Sequence, residues 1–104
     1  MKEQSQNCIA PEILDQQLQL GSDVLIIDVR SKVEFDERHI PFALNIPLDS
    51  IESEIRKFNE HYNLVTVCCV GGGEGRSAEA AEKLQLMGRD ARWLCGGTIG
   101  YFQK

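Results

Sequence analysis

Val65–Leu84 reads VTVCCVGGGEGRSAEAAEKL, and this stretch decides the fold. It begins inside a short apolar run, Leu64 to Cys69, rich in β-branched residues and closed by two cysteines. Such a run suits a strand buried on both faces of a sheet. A glycine-rich connection follows, and Arg76-Ser77 then opens a helical run. From Ser77 to Met87 the pattern is that of a helix, with Ala80, Leu84 and Met87 on one stripe and Gly88 to end it. Strand, tight connection and helix in that order form the repeating unit of a parallel sheet.

The same alternation extends outward on both sides. Towards the N-terminus, Pro11 to Leu20 places Ile13, Leu14 and Leu18 on one helical stripe. Pro11 suits the first turn and Gly21 the end. Val24 to Val29 is a second buried strand. Arg30 to Asn45 reads as a short helical turn and loop, with a brief strand around Ala43 to Ile46. Asp49, with Glu52 three residues on, has the form of a capping box ahead of a helix that buries Ile51, Ile55 and Phe58. Towards the C-terminus, Ala91 to Leu94 is a last strand, and Gly96-Gly97 turns the chain into a short helix. The expected fold is α/β, one domain over residues 1–104, with a mostly parallel central sheet flanked by helices on both faces. Residues 1–7 are expected to be a loosely ordered terminus.

Composition agrees with that reading. The 104 residues are 42% hydrophobic and 26% charged, within the usual range of globular domains and too few for a second domain. The net charge of −5 lacks the basic footprint of a nucleic-acid binder and is repelled by an anionic membrane surface. No apolar run is long enough to span a bilayer, and MKEQSQN has no signal-peptide core. The expected location is the cytoplasm, with the four cysteines as reduced thiols. Neither a Cys-x-x-C pair nor a Cys/His cluster has zinc spacing, so no metal and no organic cofactor is implied.

The chemistry concentrates at the end of the Leu64–Cys69 strand. Sulfur nucleophiles react as thiolates, and a helix N-terminus favours the ionised form. Glycines allow successive backbone N–H groups to turn inward as an anion-binding nest. Gly71, Gly72, Gly73 and Gly75 suit that task, and Arg76 adds a positive charge. Glycine in a strand-to-helix turn also serves close packing, and a buried cysteine also serves as a small hydrophobe. Four glycines within five positions exceed what a turn needs, which favours the anion site. Neighbouring strand residues face opposite ways, so Cys69 is the candidate nucleophile and Cys68 a core residue.

Three stretches together resemble the rhodanese family. LIIDVRSKVEFDERHIPFALNIP, Leu25 to Pro47, is similar to its D-V-R-x-x-x-E-[FY]-x-x-G-H-I-P-G-A-x-N-[IL]-P signature. The glycine loop with RSAEAAEKLQLMG resembles its active-site loop and following helix, and WLCGGTIGYF, Trp93 to Phe102, its closing element. The resemblance runs from about Cys8 to the C-terminus. It implies a single-domain rhodanese fold and sulfurtransferase activity: Cys69 takes a sulfane sulfur from a donor and passes it on from a persulfide. The implied partners are a small sulfur donor and a thiol or cyanide acceptor, with an acceptor protein as a further candidate. It also implies that Val70, Gly71, Gly72, Gly73, Glu74 and Gly75 hold the persulfide and donor, with Arg76 closing the loop. Asp28 and Arg30 become a structural ion pair near the site. His39 is read as structural, His61 as a solvated loop residue and Cys8 as incidental.

The departures shape the function. Six residues separate Cys69 from Arg76, more than in the usual rhodanese loop or in the related cell-cycle dual-specificity phosphatases. Val70 stands where a basic residue is frequent, and Glu74 adds a negative charge. Both disfavour a dianion such as thiosulfate, by about 1 to 4 kcal/mol for a unit charge a few ångströms away. A persulfide or polysulfide is therefore the better donor. Arg38 and Phe42 replace two signature glycines, and Phe42 is expected to cap the pocket mouth or, as the favoured reading, to pack. Cys95, in the closing element, is a candidate second thiol that could take sulfur from Cys69 or form a disulfide with it. The alternatives to a sulfurtransferase are a non-catalytic binding or redox-sensing module and, behind it, a phosphatase or arsenate reductase.

Overall fold

The structure, a computed structural model, describes residues 8–68 and 75–103. The described elements run β1 (Cys8–Ile9), α1 (Pro11–Gln19), β2 (Val24–Asp28), α2 (Lys32–Glu37) and β3 (Leu44–Asn45). After them come α3 (Ile51–Glu54), β4 (Asn63–Val67), α4 (Arg76–Leu86), β5 (Ala91–Leu94) and α5 (Gly97–Gln103). The strands form one sheet in the order β1-β5-β4-β2-β3, and every pairing is parallel. The mostly parallel α/β sheet expected from the alternation is what the chain forms.

Alternation along the strands divides the core into two layers. On one face Ile27, Leu64, Ala91 and Trp93 meet Ile51 and Ile55 and the α4 residues Ala80, Ala81 and Leu84. On the other, Ile26, Val65, Val67 and Leu94 meet Leu14 and Leu18 of α1 and Tyr101 of α5. Of the α1 stripe, Leu14 is fully buried while Ile13 remains exposed. Gly21 and Gly88 follow α1 and α4 at positive φ (78° and 86°), as residues that end helices in the left-handed region do.

Two local expectations are corrected. Asp49 does not cap a helix: Pro47 leads into a 3-10 turn over Leu48–Ser50, and α3 starts only at Ile51, without a side-chain cap. The capping box lies instead at Ser31 and Glu34, where each side chain meets the other's backbone N–H at the start of α2. The other difference is β1. Cys8 and Ile9 pair with Trp93 and Leu94, so this segment is an edge strand and not part of the chain's free end.

Candidate active site

Because all strands run the same way, their carboxyl ends share one edge, the edge at which open α/β sheets bind ligands. At the end of β2, Asp28 is fully buried and Arg30 nearly so. Arg30 donates to Asp28 through Nε and Nη2, the latter at 2.8 Å, and its backbone N–H bonds Asp28 Oδ1 at 3.0 Å. Those bonds, offset in part by burial, push the guanidinium of Arg30 above its ordinary value. Nη2 also reaches the carbonyl of Arg38. Asn45 Nδ2 bridges the carbonyls of Asp28 and Arg30 at 3.1 and 3.0 Å, and Val29 N–H bonds Val67 O at 3.0 Å. Arg30 thus ties the end of β2 to the Arg38 carbonyl, while Asn45 and Val29 join β2 to β3 and β4.

The capping box at α2 has a second use. Glu34 is held at its start by Ser31, and its carboxylate accepts two bonds from Arg76, at 3.0 and 3.2 Å. The hydrogen bonds from Arg76, then from the Ser31 backbone, hold the Glu34 carboxyl down to about 2. Arg76 is pushed up in turn, chiefly by Glu34. Arg76 is the first residue of α4, where a positive charge opposes the helix dipole and a carboxylate relieves it. The sequence reading missed Glu34, although it stands within the signature stretch.

Cys68 follows β4 directly and is 5% exposed. Its carbonyl accepts the N–H of Thr98 at 2.8 Å, which joins the closing element to the end of β4. It lies near enough to Arg76 and Arg30 to contribute to the rise of both guanidinium groups, so this buried residue meets charge and not hydrocarbon alone. Ser77 Oγ and Thr98 Oγ1 are buried and, among the described residues, have no hydrogen-bond partner. Both belong to segments that border the Cys68 end of β4. Ser77 O accepts from Thr66 Oγ1 at 2.7 Å, and Thr98 bonds Cys68 as above.

Cys69, Val70, Gly71, Gly72, Gly73 and Glu74 lie outside the described residues. Gly75 is the N-cap of α4 at φ −97°, and a Cβ there would meet nothing within 4 Å, so its own position does not require glycine. Cys95 is not a free thiol in this structure. It forms a disulfide with Cys8, with Cα atoms 5.2 Å apart, so neither the reduced state expected for both nor the incidental role given to Cys8 holds here. The cause is the parallel register of β1 on β5, which brings Cys8 alongside the end of β5. Phe42 does not pack: it is 86% exposed, at φ 72°. His39 stacks on Phe35 and its Nδ1 lies 2.8 Å from Phe35 O, a structural role; His61 pairs with Asp23 in an exposed loop.

A family model described as a Rhodanese-like domain matches residues 10–104. A protein of Bacillus subtilis (strain 168) named as a sulfur carrier, YrkF, is 30% identical over 80 residues. That match takes in 77% of this chain and 42% of that protein, so the chain spans less than half the length of this relative. Among solved structures, the human single-domain sulfurtransferase TSTD1 has a TM-score of 0.84 at 26% identity, over 94% of this chain and 96% of that one. A rhodanese-like domain protein from Staphylococcus aureus has a TM-score of 0.80 at 33% identity, over 91% and 90% of the two chains.

Proposed function

This chain belongs to the rhodanese-like domain family, and from that premise we propose that it is a sulfurtransferase working through a persulfide on Cys69. Its likeness to a sulfur carrier and a single-domain sulfurtransferase supports a role in sulfur transfer. One observation carries the finer reading. β4 ends at Val67 and α4 opens at Arg76, so by sequence position Cys69 stands in the connection between a strand end and a helix N-terminus at the sheet's carboxyl edge. A thiolate is stabilised there by the helix dipole and by N–H groups without intrahelical partners. The buried hydroxyls of Ser77 and Thr98 are further donors beside that connection.

In the first step the Cys69 thiolate attacks the sulfane sulfur of a donor RS–SH. A Cys69–S bond forms, the S–S bond of the donor breaks, and RS⁻ leaves. In the second step a thiol or cyanide nucleophile takes the outer sulfur, and Cys69 departs as thiolate. The ion pair with Glu34 bears on the donor. Arg76 offers a net charge already matched by a carboxylate, which disfavours a dianion and also removes the arginine that a phosphatase would use to clamp a phosphate. A persulfide or polysulfide is therefore the preferred donor, ahead of thiosulfate.

Intact mass spectrometry tests this, with the chain exposed separately to glutathione persulfide and to thiosulfate. Wild type should gain one sulfur from the persulfide, removable by cyanide, and less or none from thiosulfate. Cys68→Ser should still be labelled and Cys69→Ser should not. A folded wild type that takes sulfur from neither donor would overturn the assignment, and loss of labelling in Cys68→Ser alone would move the nucleophile to Cys68.

A further inference from the structure

Cys8 and Cys95 take no part in that sulfur-transfer scheme, yet they sit where a redox event would reach it. Cys8 belongs to β1, a two-residue strand at the edge of the sheet beside β5. Its disulfide partner Cys95 directly follows β5. Both residues are half-buried, at the edge of the sheet and not sealed within its core, and thiol–disulfide exchange depends on such access. Cys95 N–H also donates to Ile9 O at 3.0 Å, which makes β1, the disulfide and the end of β5 one unit. From Cys95 the chain turns through Gly96 and Gly97, at φ 81° and 62°, and then Thr98 N–H bonds the carbonyl of Cys68. The disulfide and the residue preceding Cys69 are thus the two ends of one short turn.

We propose that Cys8–Cys95 is a redox-active site whose substrates are low-molecular-weight thiols and their disulfides, and that the Gly96–Thr98 turn transmits its state to Cys68. In the reducing direction a thiolate RS⁻ attacks one sulfur, forming a mixed disulfide and releasing the other cysteine as thiolate. A second RS⁻ attacks the mixed disulfide, RSSR leaves, and two protons complete the thiols. Two RSH supply both electrons, and RSSR reverses the reaction as oxidant. Reduction removes the covalent hold on the start of this segment and leaves the Cys95–Ile9 hydrogen bond and the packing of α5 to keep it in place. The Thr98 hydrogen bond then opens more often, as locally tethered segments do when their tether is lost.

The Cys69→Ser chain is the one to test, since its thiol exchange is independent of sulfur transfer. Peptide mapping without reductant should recover a linked Cys8–Cys95 peptide. Equilibration in glutathione and glutathione disulfide at varied ratio, followed by thiol trapping, should give one reversible transition. Hydrogen exchange at the Thr98 amide should quicken roughly ten-fold on reduction through a local opening that is insensitive to low urea, whereas the amides of β2 and β4 should exchange through global unfolding, at a rate that rises with urea. Cys8→Ala/Cys95→Ala should match the reduced chain without reagent. Absence of the linked peptide, or of a reversible transition, overturns the redox site. Unchanged exchange at Thr98 overturns the transmission, as does Thr98 exchange that rises with urea just as it does in β2 and β4, which would make the bond a general staple. None of these outcomes depends on Cys69 chemistry, so failure here and failure of the sulfurtransferase reading are distinct.

Discussion

At Phe42 the backbone adopts φ 72°, and the side chain is 86% exposed. Ala43 N–H bonds Ile40 O at 3.0 Å, which makes Ile40 to Ala43 a turn with Pro41 second and Phe42 third. A positive φ at the third position is the type II arrangement, for which glycine is the natural residue. An L-residue in the left-handed region costs about 1 to 2 kcal/mol, and an exposed ring recovers little of it by burial. Phe42→Gly is therefore expected to raise stability by about 0.5 to 1 kcal/mol, the strain relieved less the extra chain entropy of glycine. Urea unfolding measures it, and Phe42→Asn, which tolerates the same φ, should move the same way. A loss of stability in both would mean that the ring makes contacts worth more than the strain. The turn's sequence signal was present in Pro41, but residue type alone does not reveal where a ring points, and apolar character suggested packing.

Between elements, the contact that organises the site joins the first turns of α2 and α4, through Glu34 and Arg76. Its sequence form was legible, since Ser31-x-x-Glu34 fits a capping box as well as Asp49-x-x-Glu52 does. At the second site the chain enters a 3-10 turn after Pro47 and Asp49 sits inside it, so no side chain caps α3. What the sequence could not supply was the partner of Glu34, which arrives from another helix. The buried pair Asp28–Arg30 was anticipated through the resemblance of Leu25–Pro47 to the rhodanese signature, and it forms at one strand end. The pH dependence of the Glu34 contact follows from its lowered carboxyl, at about 2 in the folded chain. A depressed carboxylate stabilises the fold fully above its ordinary value near 4.5, and that contribution is lost as pH falls towards 2. Both side chains are over a third exposed, so solvent screening limits the contribution to at most about 1 kcal/mol. Glu34→Gln should thus unfold at lower urea than wild type at pH 6, with the gap closing towards pH 2. A gap that stays constant across that range would show that the ionised pair contributes nothing.

On the scale of the whole chain, the parallel sheet and its two helical layers were readable from alternating strands and helices. Cys69 is proposed as the nucleophile from its place beside the glycines, and it lies outside the described residues. The Cys8–Cys95 bond was not, because it depends on which strand lies beside which. That is a property of the completed sheet, and two cysteines 87 residues apart give no spacing rule to anticipate it. The same separation makes the bond important to the chain as a whole. Closing a loop of that length restricts the unfolded ensemble by about 4 to 5 kcal/mol on the chain-entropy account. Domains of this size have roughly 5 to 15 kcal/mol in total, so the reduced chain should remain folded in water but with much of its margin gone. Urea unfolding of the oxidised and reduced forms should show a clearly lower midpoint after reduction. The slope should also rise, because an unfolded chain without the cross-link exposes more surface. Equal midpoints would mean that the unfolded chain is already held compact, so that the bond restricts nothing there. Cys8→Ala/Cys95→Ala should reproduce the reduced curve, which separates the bond itself from any effect of the reductant on Cys68 or Cys69.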